Sequence, residues 1–187
     1  MANLDTPFGF IPTGHMYPQS EYRITASYAT NLFIGDPAVR VAAGTVSRAT
    51  AGNGNAVGGF ITGIRRGTGA SMKNEIYYPA SSTDSWFATV ADHPMQEFVA
   101  QEDSTGSNLA LTDEGSNVEL HIGTGVTATG RSAAEIDSSS TSTTSASSQL
   151  RIKKLDTAVD NGVGTNGNWI VTINNHQNAP GIVGAGI

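Results

Sequence analysis

The chain has 187 residues and no cysteine, so it is long enough for one domain or two small ones and excludes disulfides and thiolate metal sites. Its formal charge of -6, from 10 Lys and Arg against 16 Asp and Glu, argues against a nucleic-acid partner, which needs clustered cations. Charged residues are only 14% of the chain while glycine contributes 22 positions, a balance produced by many short strands joined by turns.

The opening MANLDTPFGF has neither the basic nor the apolar region of a signal peptide. No apolar run approaches the ~18 residues of a membrane span, so no membrane partner is expected. Residues 1–20 carry Pro7, Gly9, Pro12, Gly14 and Pro18 among Phe8, Phe10, Ile11, Met16 and Tyr17. Prolines at that density prevent helix and a central strand. The segment reads as an extended arm that must lie on something to hide two phenylalanines.

From Glu21 the pattern is β. Strands are predicted at Tyr22–Thr25 and Tyr28–Ile34, with Gly35-Asp36-Pro37 as turn punctuation. Val39 and Val41 alternate with Ala38 and Arg40, and Val46 resumes after Gly44. AGNGNAVGGF, residues 51–60, comes close to a dinucleotide-binding glycine loop. That loop needs a helix after it. Here the β-formers Phe60, Ile61 and Ile64 follow. Chain reversal at Asn53-Gly54, a favoured type I′ pair, is the expectation, and no nucleotide cofactor is expected.

EIYYPA is a short strand ended by Pro79, and Ser85–Ala91 and Met95–Ala100 are strands that could pair as a hairpin over His93-Pro94. Thr112 can cap a single helical turn before a strand at Asn117–Val126. Ser132–Ile136 is the best, though short, helical candidate. The Ser/Thr run Ser138–Ser148 offers no apolar face and predicts a hydrated loop that tolerates shortening. Leu150–Leu155 suggests a strand with a bulge or bend. GTNGNWIVTINN holds the clearest strand of the second half, with Trp169, Val171 and Ile173 alternating with Ile170, Thr172 and Asn174. The tail APGIVGAGI reads as a second arm. The expected fold is all-β: a short-stranded antiparallel barrel or sandwich with extended N- and C-terminal arms and little helix.

Chemistry is sparse. His15, His93, His121 and His176 show no metal-binding spacing. Asp92-His93 precedes a proline, and no serine sits in a nucleophile elbow. Glu102-Asp103 and Asp113-Glu114 read as loop solvation, and Arg65-Arg66 and Arg151–Lys154 as solvated strand ends. No enzyme, metal or cofactor is expected.

GDPAVRVAAGTV, the glycine turn and GGFITGI together resemble the strand-turn core of the small head decoration, or cement, proteins of tailed bacteriophages. PFGFIPTGH and GTNGNWIVTINNHQ resemble the ends of a longer phage structural-protein group. The resemblance touches the whole chain in patches. It implies a virion protein, assembled in the host cytoplasm, that trimerises and stabilises the outer surface of the capsid by binding the major capsid protein. On that reading residues 1–20 are the arm, 21–100 a barrel core of decoration-protein type, and 101–187 a second β region. Pro7, Phe8, Phe10, Ile11 and Pro12 are then the capsid-contact candidates, and truncating residues 1–14 is expected to spare the fold. The alternative is another virion surface component, a tail or fibre-base protein or a glycan-binding module using exposed Tyr77, Tyr78 and Trp86.

Overall fold

The computed structural model describes residues 3–179. The predicted C-terminal arm therefore falls, after Ala179, outside the described residues. The described chain is all-β, with two larger antiparallel sheets and a small strand pair. The first sheet has the order β1 (Ile11–Thr13), β10 (Glu97–Gln101), β14 (Asn168–Ile173), β13 (Leu150–Leu155), β11 (Asn117–Ile122) and β12 (Ala134–Ser142). The second runs β2 (Ser20–Arg23), β9 (Trp86–Ala91), β6 (Gly59–Arg66), β4 (Pro37–Arg40) and β5 (Val46–Arg48), with β7 (Lys73–Glu75) beside β6. The strands β3 (Leu32–Phe33) and β8 (Tyr77–Tyr78) pair separately.

Each sheet bends toward itself without closing into a barrel. In the second, Ile24 beyond β2 meets Val46 of β5 in an isolated parallel bridge; in the first, Glu102 beyond β10 meets Ile136 of β12 likewise. There are two cores, the first of which also takes Phe60 of β6 and Ala91 of β9 from the second sheet. Trp169, Val171 and Ile173 of β14 face Val118, Leu120, Leu150 and Ile152, whereas Ile61, Ile64, Ala88 and Val90 pack with Tyr78 and Trp86. Alternation holds for the core-facing residues, but the other faces are covered in part: Ala91 of β9 joins the first core opposite Trp86, Ala88 and Val90, and Ile170 of β14 is buried opposite Trp169, Val171 and Ile173. The bulge expected in Leu150–Leu155 is present as a register shift between Ile152 and Lys154.

Several expectations are corrected. The first sheet draws β1 and β10 from the first hundred residues and four strands from the rest, so the sheets do not divide at residue 100. The strands around His93-Pro94 form no hairpin: β9 belongs to the second sheet and β10 to the first, and the turn hands the chain between them. The Ser132–Ile136 candidate is the approach to and start of β12, where Ala134 and Ile136 join the core. The helical turn is a 3-10 turn at Leu111–Asp113, closed by the Asp113 carboxylate accepting the Ala110 N–H at 2.8 Å.

The Ser/Thr run is not a hydrated loop. Ser138 to Ser142 continue β12, and Ser138 and Ser148 are buried. Carbonyls of the remainder are claimed from three directions: Ser145 by the Asn117 amide, Ala146 by the Asn174 amide and Ser147 by the Gly54 N–H. Hydroxyls and main chain, not apolar faces, hold this strand, so its composition looks like a linker's.

The glycine loop is chain reversal, but of another type. Asn55 N–H donates to Gly52 O at 3.2 Å, with positive φ (+85°) at Gly54 and not at Asn53. That is the sign pattern of a type II turn rather than type I′. At Gly59 β6 presses on β9, where a Cβ would lie 2.4 Å from Ala91 O.

Candidate functional site

The N-terminal arm is the segment the sequence singled out. The structure lays it across the first sheet, and β1 is the strand it adds: Ile11, Pro12 and Thr13 pair with Val99, Phe98 and Glu97. The extended arm thus lies on the molecule's own sheet and adds a strand to it. Pro12 sits in a three-residue edge strand, where a missing N–H is tolerated.

Two glutamines at the ends of β10 hold the arm by its backbone. Buried Gln101 accepts from Thr6 N–H at 3.0 Å and donates to Leu4 O at 2.8 Å. Gln96, just before β10 and equally buried, accepts from Tyr17 N–H at 3.1 Å and donates to Thr13 O at 2.9 Å. A side-chain amide offers one acceptor and two donors, so each glutamine stands in for a strand neighbour the arm lacks. The Asn3 side chain adds hydrogen bonds with Gly162 and Thr165.

The five candidate residues do not act together. Phe10 is 1% exposed and stacks on Phe60 at 4.2 Å, which meets Phe98 edge-on at 4.6 Å. Its role as a contact for an external partner is corrected: it belongs to the protein's own core. Phe8 is half-buried and lines a cavity of about 260 Å3 with Leu4 and Gln101. Pro7 and Pro12 are half-buried, and only Ile11 is exposed. Leu4 and Met16, which were not candidates, are the arm's most exposed apolar side chains. Where the arm enters the core, Gly9 and Gly35 touch, each at positive φ, and Phe10 N–H donates to Gly35 O at 3.0 Å. Asp36 locks the place: its carboxylate accepts from Ser132 Oγ at 2.5 Å and from Phe33 N–H at 3.0 Å.

A second group of polar side chains lies on the outward face of β11 and β12. Glu119 and Asp137 are register partners, as are His121 and Glu135. Glu119, His121 and Asp137 line an open cleft of about 570 Å3 with Tyr28 and Arg48. Beside it, Asp103 Oδ2 lies 3.5 Å from His121 Nδ1. Burial raises the Asp103 carboxyl, but hydrogen bonds from Thr105 and Ser138 outweigh it and hold the group below the ordinary range. Glu102, expected to be a solvated loop residue, is fully buried and accepts from Leu109 N–H at 2.7 Å and Gly167 N–H at 3.3 Å. Arg65 and Arg66 pair with Glu21, Glu75 and Asp84 as strand-end charges do.

The histidines converge in part. The Tyr17 ring stacks on His93 at 3.8 Å and meets His15 edge-on at 4.6 Å. Asp92 accepts hydrogen bonds from Ser20 Oγ and Tyr22 OH, at 3.1 and 2.5 Å. His176 is 5% exposed, and burial, helped by His93, holds its imidazole down at about 4 against the opposing pull of Asp92. An unfolded histidine titrates near 6.5. The unfolded chain therefore takes up a proton first as pH falls, and His176 withdraws stability through the window from about 6.5 to 4, by roughly 2 kcal/mol at about pH 4.5. Glu135, whose carboxyl is raised, acts with the opposite sign there. Denaturant midpoints of wild type and His176→Gln are thus expected to diverge as pH drops from 7, wild type losing more; parallel curves would refute the assignment.

No protein-family model, curated protein or solved structure matches this chain. Among the described residues, no three His, Asp or Glu side chains are grouped so as to hold a metal ion.

Proposed function

We propose that this chain is a structural virion protein of a tailed bacteriophage, a head decoration protein that binds the outer capsid surface through the major capsid protein and works as a homotrimer without catalysis. The observation that best supports this reading is the arm's two-sidedness. Phe10 and the two glutamine clamps tether it, while Leu4, Ile11 and Met16 are 77%, 47% and 54% exposed. Such a strip is already ordered, so a partner that covers it pays little further conformational entropy. Covering each side chain is worth up to about 1.5–3 kcal/mol. The contact surface accordingly moves from Phe8 and Phe10 to the outward residues. The glycan-binding alternative gains no support from its aromatics, since Tyr78 and Trp86 are buried in the second core.

The test uses undecorated heads of the phage that encodes the chain, with co-sedimentation and light scattering as readouts. Wild type is expected to sediment with the heads and to scatter, free or on release, at three times its 19.3 kDa chain mass. Leu4→Ser, Ile11→Ser and Met16→Ser combined should keep the melting temperature and lose sedimentation. Unchanged sedimentation of that variant, or a protein that never leaves the monomer, would reject the proposal.

A further inference from the structure

We propose that the cavity between the arm and the loop joining β13 to β14 is a binding site for an alkylammonium group, the end of a lysine side chain from the partner that the arm contacts. The source of the lysine rests on the capsid reading above; the chemistry of the cavity does not.

The cavity holds about 260 Å3, far more than one water needs. Leu4 and Phe8 of the arm line it together with Gln101, Asp160 and Asn168. Asn168 pairs with Gln101 across β14 and β10, so both side chains stand on one face of the sheet, where the arm crosses it. The Gln101 amide is fully occupied there by Leu4 O, Thr6 N–H and Asn166 O. Asn3 is likewise occupied by Gly162 and Thr165. Asn168 Oδ1 differs: it is fully buried and has no hydrogen-bond partner among the described residues. A buried acceptor without a donor is costly, and a donor arriving in the cavity removes that cost.

The second acceptor is Asp160. It is exposed, and its carboxylate joins none of the ion pairs among the described residues. No Lys, Arg or His lines the cavity. The cavity thus offers an orphan acceptor, an unpaired carboxylate and apolar surface from Leu4 and Phe8. Those features suit a ligand with N–H donors, a positive charge and a hydrocarbon stem. An ammonium on a straight aliphatic chain has all three, and its donors diverge so that both acceptors can be served. Because Leu4 and Phe8 belong to the arm, the site exists only while the arm is docked, and an occupant strengthens that docking.

The probe is n-butylammonium, which copies the end of a lysine side chain, titrated into the full chain and followed by NMR of the Asn168 and Gln101 side-chain amides. A saturable shift is expected, and n-butanol should give none. Asp160→Asn should weaken binding by up to about fivefold, the effect of losing an exposed ion pair. Asn168→Val should abolish the shift at Gln101 yet keep or raise the melting temperature, because it removes the orphan atom and suits a strand. A chain starting at Pro7 should fold and not bind. No saturable shift, an equal response to n-butanol, or unchanged binding in Asp160→Asn overturns the proposal. Binding that survives in Asn168→Val overturns it too; should that variant not fold, retained binding in the chain starting at Pro7 does so equally. With phage heads, acetylating the head lysines should lower sedimentation of the wild type, and equal sedimentation overturns lysine as the occupant. A chain that binds n-butylammonium but ignores unmodified heads keeps the site and rejects the capsid reading instead.

Discussion

Replacing Phe10 by alanine should lower the melting temperature by roughly 6–20 °C, since removing a buried phenylalanine costs about 3–5 kcal/mol and each kcal/mol moves a domain of this size by about 2–4 °C. Phe10 sits at 1% exposure between Phe60 and the rest of the first core, and its removal leaves a cavity bounded by strands of both sheets. The partly relaxed void, added to lost apolar burial, is the source of the cost. Deleting residues 1–14 removes Phe10 and β1 together and should be worse than the point change. Thermal unfolding followed by circular dichroism decides it. A variant that melts within about 2 °C of wild type would mean that Phe10 is not part of the core, because so small a shift corresponds to at most about 1 kcal/mol.

Gly9→Val should be nearly as damaging by a different route. At φ +77° a β-branched residue is strained, and an added Cβ would come within 2.7 Å of Ser132 Cβ and 2.8 Å of Gly35 Cα and O. Two of those three atoms are main chain, so no side-chain rotation relieves the contact. Left-handed strain of about 1–2 kcal/mol and overpacking of about 1–3 kcal/mol together give roughly 2–5 kcal/mol. Phe10 is expected to leave its pocket as the arm backs away from Gly35, giving heightened proteolysis before Phe10 along with the lower melting point. Gly44→Val is the control: it has positive φ as well (+73°) but open space around it, so it should lose only the strain. Equal losses at the two positions would show that packing at Gly9 contributes nothing.

The strands with apolar alternation were legible. Trp169, Val171 and Ile173 announced β14, and Trp86, Ala88 and Val90 announced β9, because a core on one side imposes a period of two. The arm was legible as extended through its prolines, but composition cannot say whether a phenylalanine faces its own core or a partner's. The deciding signals were Gln96 and Gln101, polar residues framing an apolar strand, whose burial depends on the arm they hold. β12 was illegible because hydroxyls and main-chain bonds replace an apolar face beyond Ile136. Asn168 was equally hidden: the arm residues that share its cavity, Leu4 and Phe8, are far away in sequence.

The place of β14 in the first sheet has a consequence for synthesis on the ribosome. It lies between β10 and β13 in the ladder, so residues 168–173 join β1 and β10 to the strands of residues 117–155, with the Glu102–Ile136 bridge as a second, smaller join. While the nascent chain ends short of residue 168, Phe98, Leu150 and Ile152 lack the Trp169 and Val171 side chains that complete their core. Pairings of such long sequence separation form slowly and leave strand edges open to wrong partners. Translation intermediates stalled before residue 168 should therefore depend on chaperones far more than the completed chain does.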